Sequence, residues 1–292
     1  MAGLSDYSAQ ALLNWQSGES TFPIVGSRFL ALFTTAPTSD AGTGGTEVSG
    51  GSYARIQVAG EITAAGAIST ASSTITMPNV SGFPWVVAGM NVYSITAGEQ
   101  IGRVLSWTGT TLTLTANASN NGSGSTDSLA FSAFPAALAS SGTEPIVTPA
   151  STANAAVITF AAATANWGTV TSFGIYDALT SGNFISWDYL GAFKWSPFTC
   201  SLASPGVLTC TDQSFSNGQS AAVTSKFGGT LPTTGGSWAG VLTVAGVSGS
   251  TFNLGVNTTG TGDGSVRQVT QQSIPSGVTA SFAASQLTIT SA

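Results

Sequence analysis

The chain has 292 residues, of which 42% are apolar and 9% aromatic, with a mean hydropathy of +0.29. That is enough apolar surface to offset the entropy of ordering, so the chain folds, as one large β domain or two to three small ones. Only 6% of residues are charged, against about a quarter in ordinary globular proteins, and six Lys and Arg in a chain of net charge −6 leave no cationic cluster for nucleic acid or an anionic membrane.

The N-terminus, Met1-Ala2-Gly3-Leu4-Ser5-Asp6, lacks the basic start and apolar run of a signal peptide. No stretch approaches the roughly 18 apolar residues of a membrane span. The expectation is assembly in a cytosol, where thiols stay reduced. Ser5 is placed to cap a short helix, with Asp6 in its first turn and Tyr7, Ala11 and Trp15 on one face beside Leu12. Gly18 ends it. Such a helix either closes one end of its own core, the reading preferred here, or docks as an arm on a neighbouring subunit.

Arg28 to Phe33 follows as a strand. It breaks at Thr34-Thr35-Ala36-Pro37 and resumes at Tyr53 to Val58 after a Gly/Thr-rich loop. Phe29, Ala31 and Phe33 point to one face and Leu30 and Leu32 to the other, which predicts burial on both sides. After Val58 the texture changes. Ser73 to Met77, Met90 to Tyr93, Ile101 to Trp107 and Thr111 to Thr115 read as strands of an inserted module, with Ile75, Val80, Phe83, Trp85, Val92, Leu112 and Leu114 for a small core of its own and a Gly/Ser/Asn loop from Asn117 to Ser125. The Ala/Ser/Pro stretch Pro135 to Pro149 returns to the core at Ala155 to Phe160. Trp167 to Ala178 continues it, Ser181-Gly182-Asn183 turns, and Phe184 to Leu190 runs back.

Beyond Pro197 a second module holds strands at Val207 to Cys210, Ala222 to Ser225, Gly240 to Val244 and Thr251 to Leu254. Gly277 to Ala280 and Gln286 to Thr290 close the core. The predicted architecture is mainly β: a discontinuous sandwich or jelly-roll-like core (1–65, 134–197 and 269–292) with a short N-terminal helix and two inserted small β modules at 66–133 and 198–268. Thr110 to Asn117 and Ser250 to Asn257 share a rhythm of strand then glycine loop. It reads either as a remote repeat or, preferably, as an effect of biased composition.

Taken together and in order, Leu32-Phe33-Thr34-Thr35-Ala36-Pro37-Thr38, Gly44 to Arg55, Phe160 to Val170 and Phe173-Gly174-Ile175-Tyr176-Asp177-Ala178 resemble a family of small virion proteins of tailed bacteriophages. Members are usually labelled tail-fibre or minor structural proteins, and some virion proteins of this type decorate capsids. The resemblance covers roughly Leu4 to Gly60, Ala153 to Trp195 and the last twenty or so residues, and it implies a part of the virion.

The chain has no histidine, which removes Ser-His-Asp and Cys-His catalysis and the commonest zinc ligand. Neither a Gly-x-Ser-x-Gly elbow nor a phosphate-binding loop occurs. Asp177 and Asp188 flank one hairpin and are the only candidates for a glycosidase pair, but a turn aspartate and a solvated strand residue is the preferred reading. Asp263, in a glycine-rich turn, is a poor calcium ligand by itself. No catalytic, cofactor or metal residues are assigned. Glu47 and Arg55 flank one loop, and a buried arginine needs a carboxylate, so Glu47 or Asp177 beside Arg55 is the expected structural ion pair. Cys200 and Cys210 face each other across a hairpin if Ala203 opposes Val207, a register open to a disulfide or to two buried thiols. Trp85, Trp107, Trp187, Trp195 and Trp238 are read as core and interface anchors in preference to a sugar platform.

The reading is a non-enzymatic bacteriophage virion protein without cofactors, assembled in the host bacterial cytoplasm and exposed on the particle. It is homo-oligomeric, with a trimer as one option, and packs on the major capsid protein or on tail proteins. Capsid decoration is preferred because no coiled coil or fibrous repeat is visible. A receptor-contacting tail-fibre or tail-spike subunit is the alternative, and a carbohydrate-binding adhesin module, with four Asn-x-Ser/Thr triplets, is the rival from another class.

Overall fold

A computed structural model describes residues 3–19, 26–38, 41–119, 127–134, 151–191, 195–225 and 230–290. The Pro135 to Pro149 stretch and the 120–126 part of the Asn117 loop lie outside the described residues.

The fold is mainly β and is organised around the strand Arg28–Thr35. Its alternation works as expected: Leu30 and Leu32 enter one buried cluster, and Ala31 and Phe33 another on the opposite face. It pairs antiparallel with Ser172–Tyr176 on one side and with the start of Ile56–Thr63 on the other. Ser172–Tyr176 forms a hairpin with Phe184–Tyr189, and Gly3–Leu4 adds to the outer edge of that hairpin. Three two-stranded pairs back the Leu30 and Leu32 face. They are Ser151–Ala153 with Thr288–Thr290, Ile158–Ala162 with Thr279–Phe282, and Gly168–Val170 with Gln272–Ile274. Phe160, Trp167, Ile274, Phe282 and Leu287 from these segments join Phe173 and Ile175 in one cluster, so the core is sheet packed on sheet.

The helix spans Asp6–Gln16, capped by Ser5, whose Oγ accepts from Ser8 N at 3.2 Å, and Gly18 follows it at φ +79°. Ser8 Oγ donates to Ile185 O at 2.8 Å and fixes the helix to the outer hairpin strand. Of the predicted stripe, Tyr7 is 44% exposed and Ala11 and Leu12 are half-buried, and none of these three belongs to a buried cluster.

The 66–133 segment extends the core sheet instead of folding round an interior of its own. The last half of Ile56–Thr63 pairs with Ser128–Ser132, and the order continues through Asn91–Ser94, Glu99–Thr108, Thr111–Leu114 and Thr74–Thr76. Ala65 N then donates to Thr76 O at 2.8 Å, so these six strands curl into a nearly closed barrel. Glu99–Thr108 bends at a bulge between Val104 and Ser106, pairing with one neighbour before it and another after it. Ile75, Val92, Leu112 and Leu114 share one cluster with Leu30, Phe160 and Trp167.

The second module is a separate sheet with a separate cluster, built on Phe198, Leu208, Trp238, Phe252 and Val266. Its order runs Ser196–Cys200, Gly262–Val269, Ser220–Thr224, Val241–Thr243, and from the other edge Ala245–Ser248, Thr251–Asn253, Leu208–Thr209 and back to Ser196–Cys200. Val241–Thr243 and Ala245–Ser248 are separated only by Val244, so they form one bent strand that closes a second six-stranded ring. Numbered along the chain, both rings read 1-6-3-4-5-2. The rhythm shared by Thr110 to Asn117 and Ser250 to Asn257 falls on the fifth strand of each ring, Thr111–Leu114 and Thr251–Asn253.

Candidate functional site

The phage-like blocks converge beside the central strand. Thr46–Glu47 pairs with one end of that strand and Ile56–Thr63 with the other, so the loop between them doubles back and sets Glu47 beside Arg55. Arg55 Nε donates to Glu47 Oε1 at 2.9 Å, and Nη2 to Oε2 at 2.8 Å, a bidentate pair. Its Nη1 donates to the carbonyls of Ala178 and Ser181 at 3.2 and 2.7 Å, and the guanidinium lies 3.4 Å from the centroid of the Tyr176 ring. Burial opposes the arginine's charge, yet the bonds and charge of Glu47 outweigh it and hold the pKa above the ordinary value.

Tyr53 completes this node. Its hydroxyl accepts from Leu32 N at 2.9 Å and donates to Glu47 Oε1 at 3.1 Å, and its ring stacks on Phe160 and meets the edge of Trp167. Burial pushes the phenol far above its usual range. Trp167 Nε1 donates to Gly51 O at 2.9 Å. Gly51 sits at φ +57°, where a Cβ would meet Ala165 N and Trp167 Nε1 at 2.9 Å, so that position of the Gly50-Gly51-Ser52-Tyr53-Ala54-Arg55 run needs glycine.

Asp177 stays outside the ion pair. Its carboxylate accepts from Asn183 N and Nδ2, both at 2.7 Å, and closes the turn whose carbonyls Arg55 reads. Asp188 is not the solvated residue the sequence reading made it. It is fully buried and pairs with Arg267 Nη1 at 2.7 Å, while Arg267 Nη2 donates to Tyr189 O and Gly191 O at 2.9 and 3.3 Å. The guanidinium also lies 5.3 Å from the ring centroid of Trp195. This pair joins the core hairpin to the second barrel, amid Phe33, Trp187, Tyr189, Ala222 and Val269. Sequence reasoning missed it, although two opposite charges set among aromatic and β-branched residues, in a chain so poor in charge, were a usable signal. Burial pushes the Tyr189 phenol up to about 12, against the pull of Arg267.

Cys200 and Cys210 are separate buried thiols, each pushed up by burial. The expected register is off by two, with Cys200 opposite Leu208. The reason is a wide hairpin plugged by Thr258, whose Oγ1 accepts from Ala203 N at 3.0 Å and donates to Ser201 O at 2.7 Å.

The tryptophans serve packing. Trp107 stacks between Phe83 and Phe131, Trp85 meets the edge of Phe131, Trp187 is buried at the seam and Trp238 lies in the second barrel with Nε1 donating to Pro232 O at 3.0 Å. Trp195, half-buried, borders a cleft of about 140 Å³ between core and second barrel, lined also by Pro37, Thr38, Trp187, Tyr189 and Thr224. Asp263 lies on the strand Gly262–Val269, opposite Thr199.

A family model described as "Podophage GP4 fiber I protein gp80" matches residues 3–134 and 107–195. No curated protein matches the chain.

Proposed function

Because the chain belongs to the family described as Podophage GP4 fiber I protein gp80, a family of tailed-phage fibre and structural proteins, we propose that it is a non-enzymatic fibre subunit of the virion. It assembles as a homo-oligomer, packs on neighbouring tail proteins through its core, and turns its barrels outward. One observation carries the structural role. Gly51, Tyr53, Arg55, Phe160, Trp167 and Tyr176, all from the blocks that carry the resemblance, interlock into one node of hydrogen bonds and ring contacts. Residues kept for chemistry line a cavity that substrate can enter. These instead set how the central strand, the Glu47 loop and the 177–183 turn fit together.

The compact shape, without an elongated repeat among the described residues, favours the second reading, a capsid decoration protein. Quantitative mass spectrometry of purified particles separates the two. A few copies per virion are expected of a fibre at the tail or a vertex. A ratio to the major capsid protein near one, or a simple lattice fraction of it, would replace the fibre reading with decoration.

A further inference from the structure

We propose that the chain carries one barrel module twice, and that the second copy, residues 196–269, is a self-sufficient cooperative unit appended to a body that is complete without it. The shared strand order is the coarse sign. The register is the fine one, and it agrees around the whole ring.

Where the first and second strands meet, Ala65 N bonds Thr76 O in the first barrel and Thr199 pairs with Thr209 in the second. One step on, Ile75 opposes Leu112 as Leu208 opposes Phe252. Met77 N then donates to Thr110 O at 2.7 Å, and Cys210 N to Ser250 O at 2.9 Å. The hairpin between strands four and five closes Thr108 on Thr111 through Gly109, and Ser248 on Thr251 through Gly249, both glycines at φ +58°. Ahead of the third strand, Gly89 at φ +90° donates to Val104 O at 2.8 Å, and Gly218 at φ +87° donates to Val244 O at 2.8 Å. Val104 and Val244 each sit where the fourth strand changes partner, and Asn91 opposes Ser132 as Ser220 opposes Val269. A shared strand order alone arises easily among small barrels. Coincident registers, with two left-handed glycines at matching points, do not.

The copies differ in how they are held. The first has no interior of its own, since its apolar residues merge with the core cluster. The second keeps a private cluster, and its chain comes in and goes out side by side, Thr270 N donating to Leu190 O at 2.9 Å. Its attachment is the seam around Asp188 and Arg267. The family match ends at residue 195, where this second barrel begins, and the body's closing strands at Gln272–Ile274, Thr279–Phe282 and Thr288–Thr290 lie beyond it as well. A unit with its own core and adjacent ends is what folds and opens separately.

Hydrogen exchange with mass spectrometry on the intact chain, through a thermal or denaturant series, tests this with two variants at equivalent positions. Phe252→Ala is expected to lower the midpoint for amides in 196–269 by about 10 °C or more while leaving those of 28–35, 56–63 and 172–189 in place. Leu112→Ala is expected to move the first barrel and the core together. If Phe252→Ala blocks expression, Phe252→Leu gives the same contrast at smaller amplitude. A single transition in which either variant shifts every segment alike would overturn the proposal.

Discussion

Asp188 and Arg267 show what a charge does in a chain with few of them. Each is buried to within 2% of complete burial, so removing one partner strands the other in a low-dielectric seam. Asp188→Asn or Arg267→Met alone is expected to lower unfolding stability by about 3 to 5 kcal/mol, and the double variant Asp188→Leu with Arg267→Met to recover most of it, as read by urea unfolding. A double variant as weak as either single one would mean that the pair contributes net attraction of its own. The tyrosines set a second residue-scale effect. Tyr189 ionises near 10 unfolded and at about 12 folded, so the folded state keeps the proton longer. Its contribution is complete below pH 10 and is lost as pH rises toward 12, by about 2 to 3 kcal/mol, and Tyr53 is shifted in the same direction. Alkaline titration followed by phenolate absorbance should show ionisation and unfolding together, and Tyr189→Phe should move the loss to higher pH. At this scale the sequence was half legible. Glu47 and Arg55 are eight residues apart and flank one loop, so their meeting followed from the need to neutralise a buried arginine. Asp188 and Arg267 stand 79 residues apart on different sheets, and no local pattern joins them.

Strands were legible as elements because alternation and β-branched content report burial directly, as in Arg28–Thr35 and its two clusters. Which strand changes partner was not, because a bent strand such as Glu99–Thr108 has no sequence period that differs from a straight one. The first module was read as separate for that reason: its apolar residues are present, but only the fold shows that they share the core's interior. The helix was legible too, from its Ser5 cap and the Gly18 that ends it. Glycines are the informative turn signal, provided space and conformation are both weighed. Gly51 has φ +57° and a neighbouring backbone nitrogen 2.9 Å from any Cβ, whereas Gly109 has φ +58° and open space. Gly51→Ala is expected to cost about 2 to 3 kcal/mol, and Gly109→Asn well under 1 kcal/mol because asparagine tolerates the left-handed region, both measured by thermal unfolding. Equal losses would show that conformation alone, and not the approach of Ala165 and Trp167, fixes glycine in the Gly50-Gly51 run.

For the molecule as a whole, the scarcity of charge decides how it meets other surfaces. Its 12 acidic and six basic side chains are outnumbered by apolar and small polar groups, and of the ion pairs that at Arg267 is buried, where salt screens it little, and that at Arg55 half-buried. Cohesion within the chain, and the proposed association with neighbouring subunits, must therefore rest on packing and on hydrogen bonds between uncharged groups. Such contacts have a distinct response to solvent. Sodium chloride screens charges without strengthening apolar burial much, while sulfate, being excluded from protein surface, strengthens it. The homo-oligomer proposed above should keep its sedimentation coefficient and thermal midpoint almost unchanged between low salt and about 1 M sodium chloride, where the Debye length falls to roughly 3 Å. The midpoint should rise in sulfate at equal ionic strength. An assembly that dissociates in sodium chloride would place exposed carboxylates such as Glu61 and Glu99, both on the outer surface of the first barrel, at the contact between subunits.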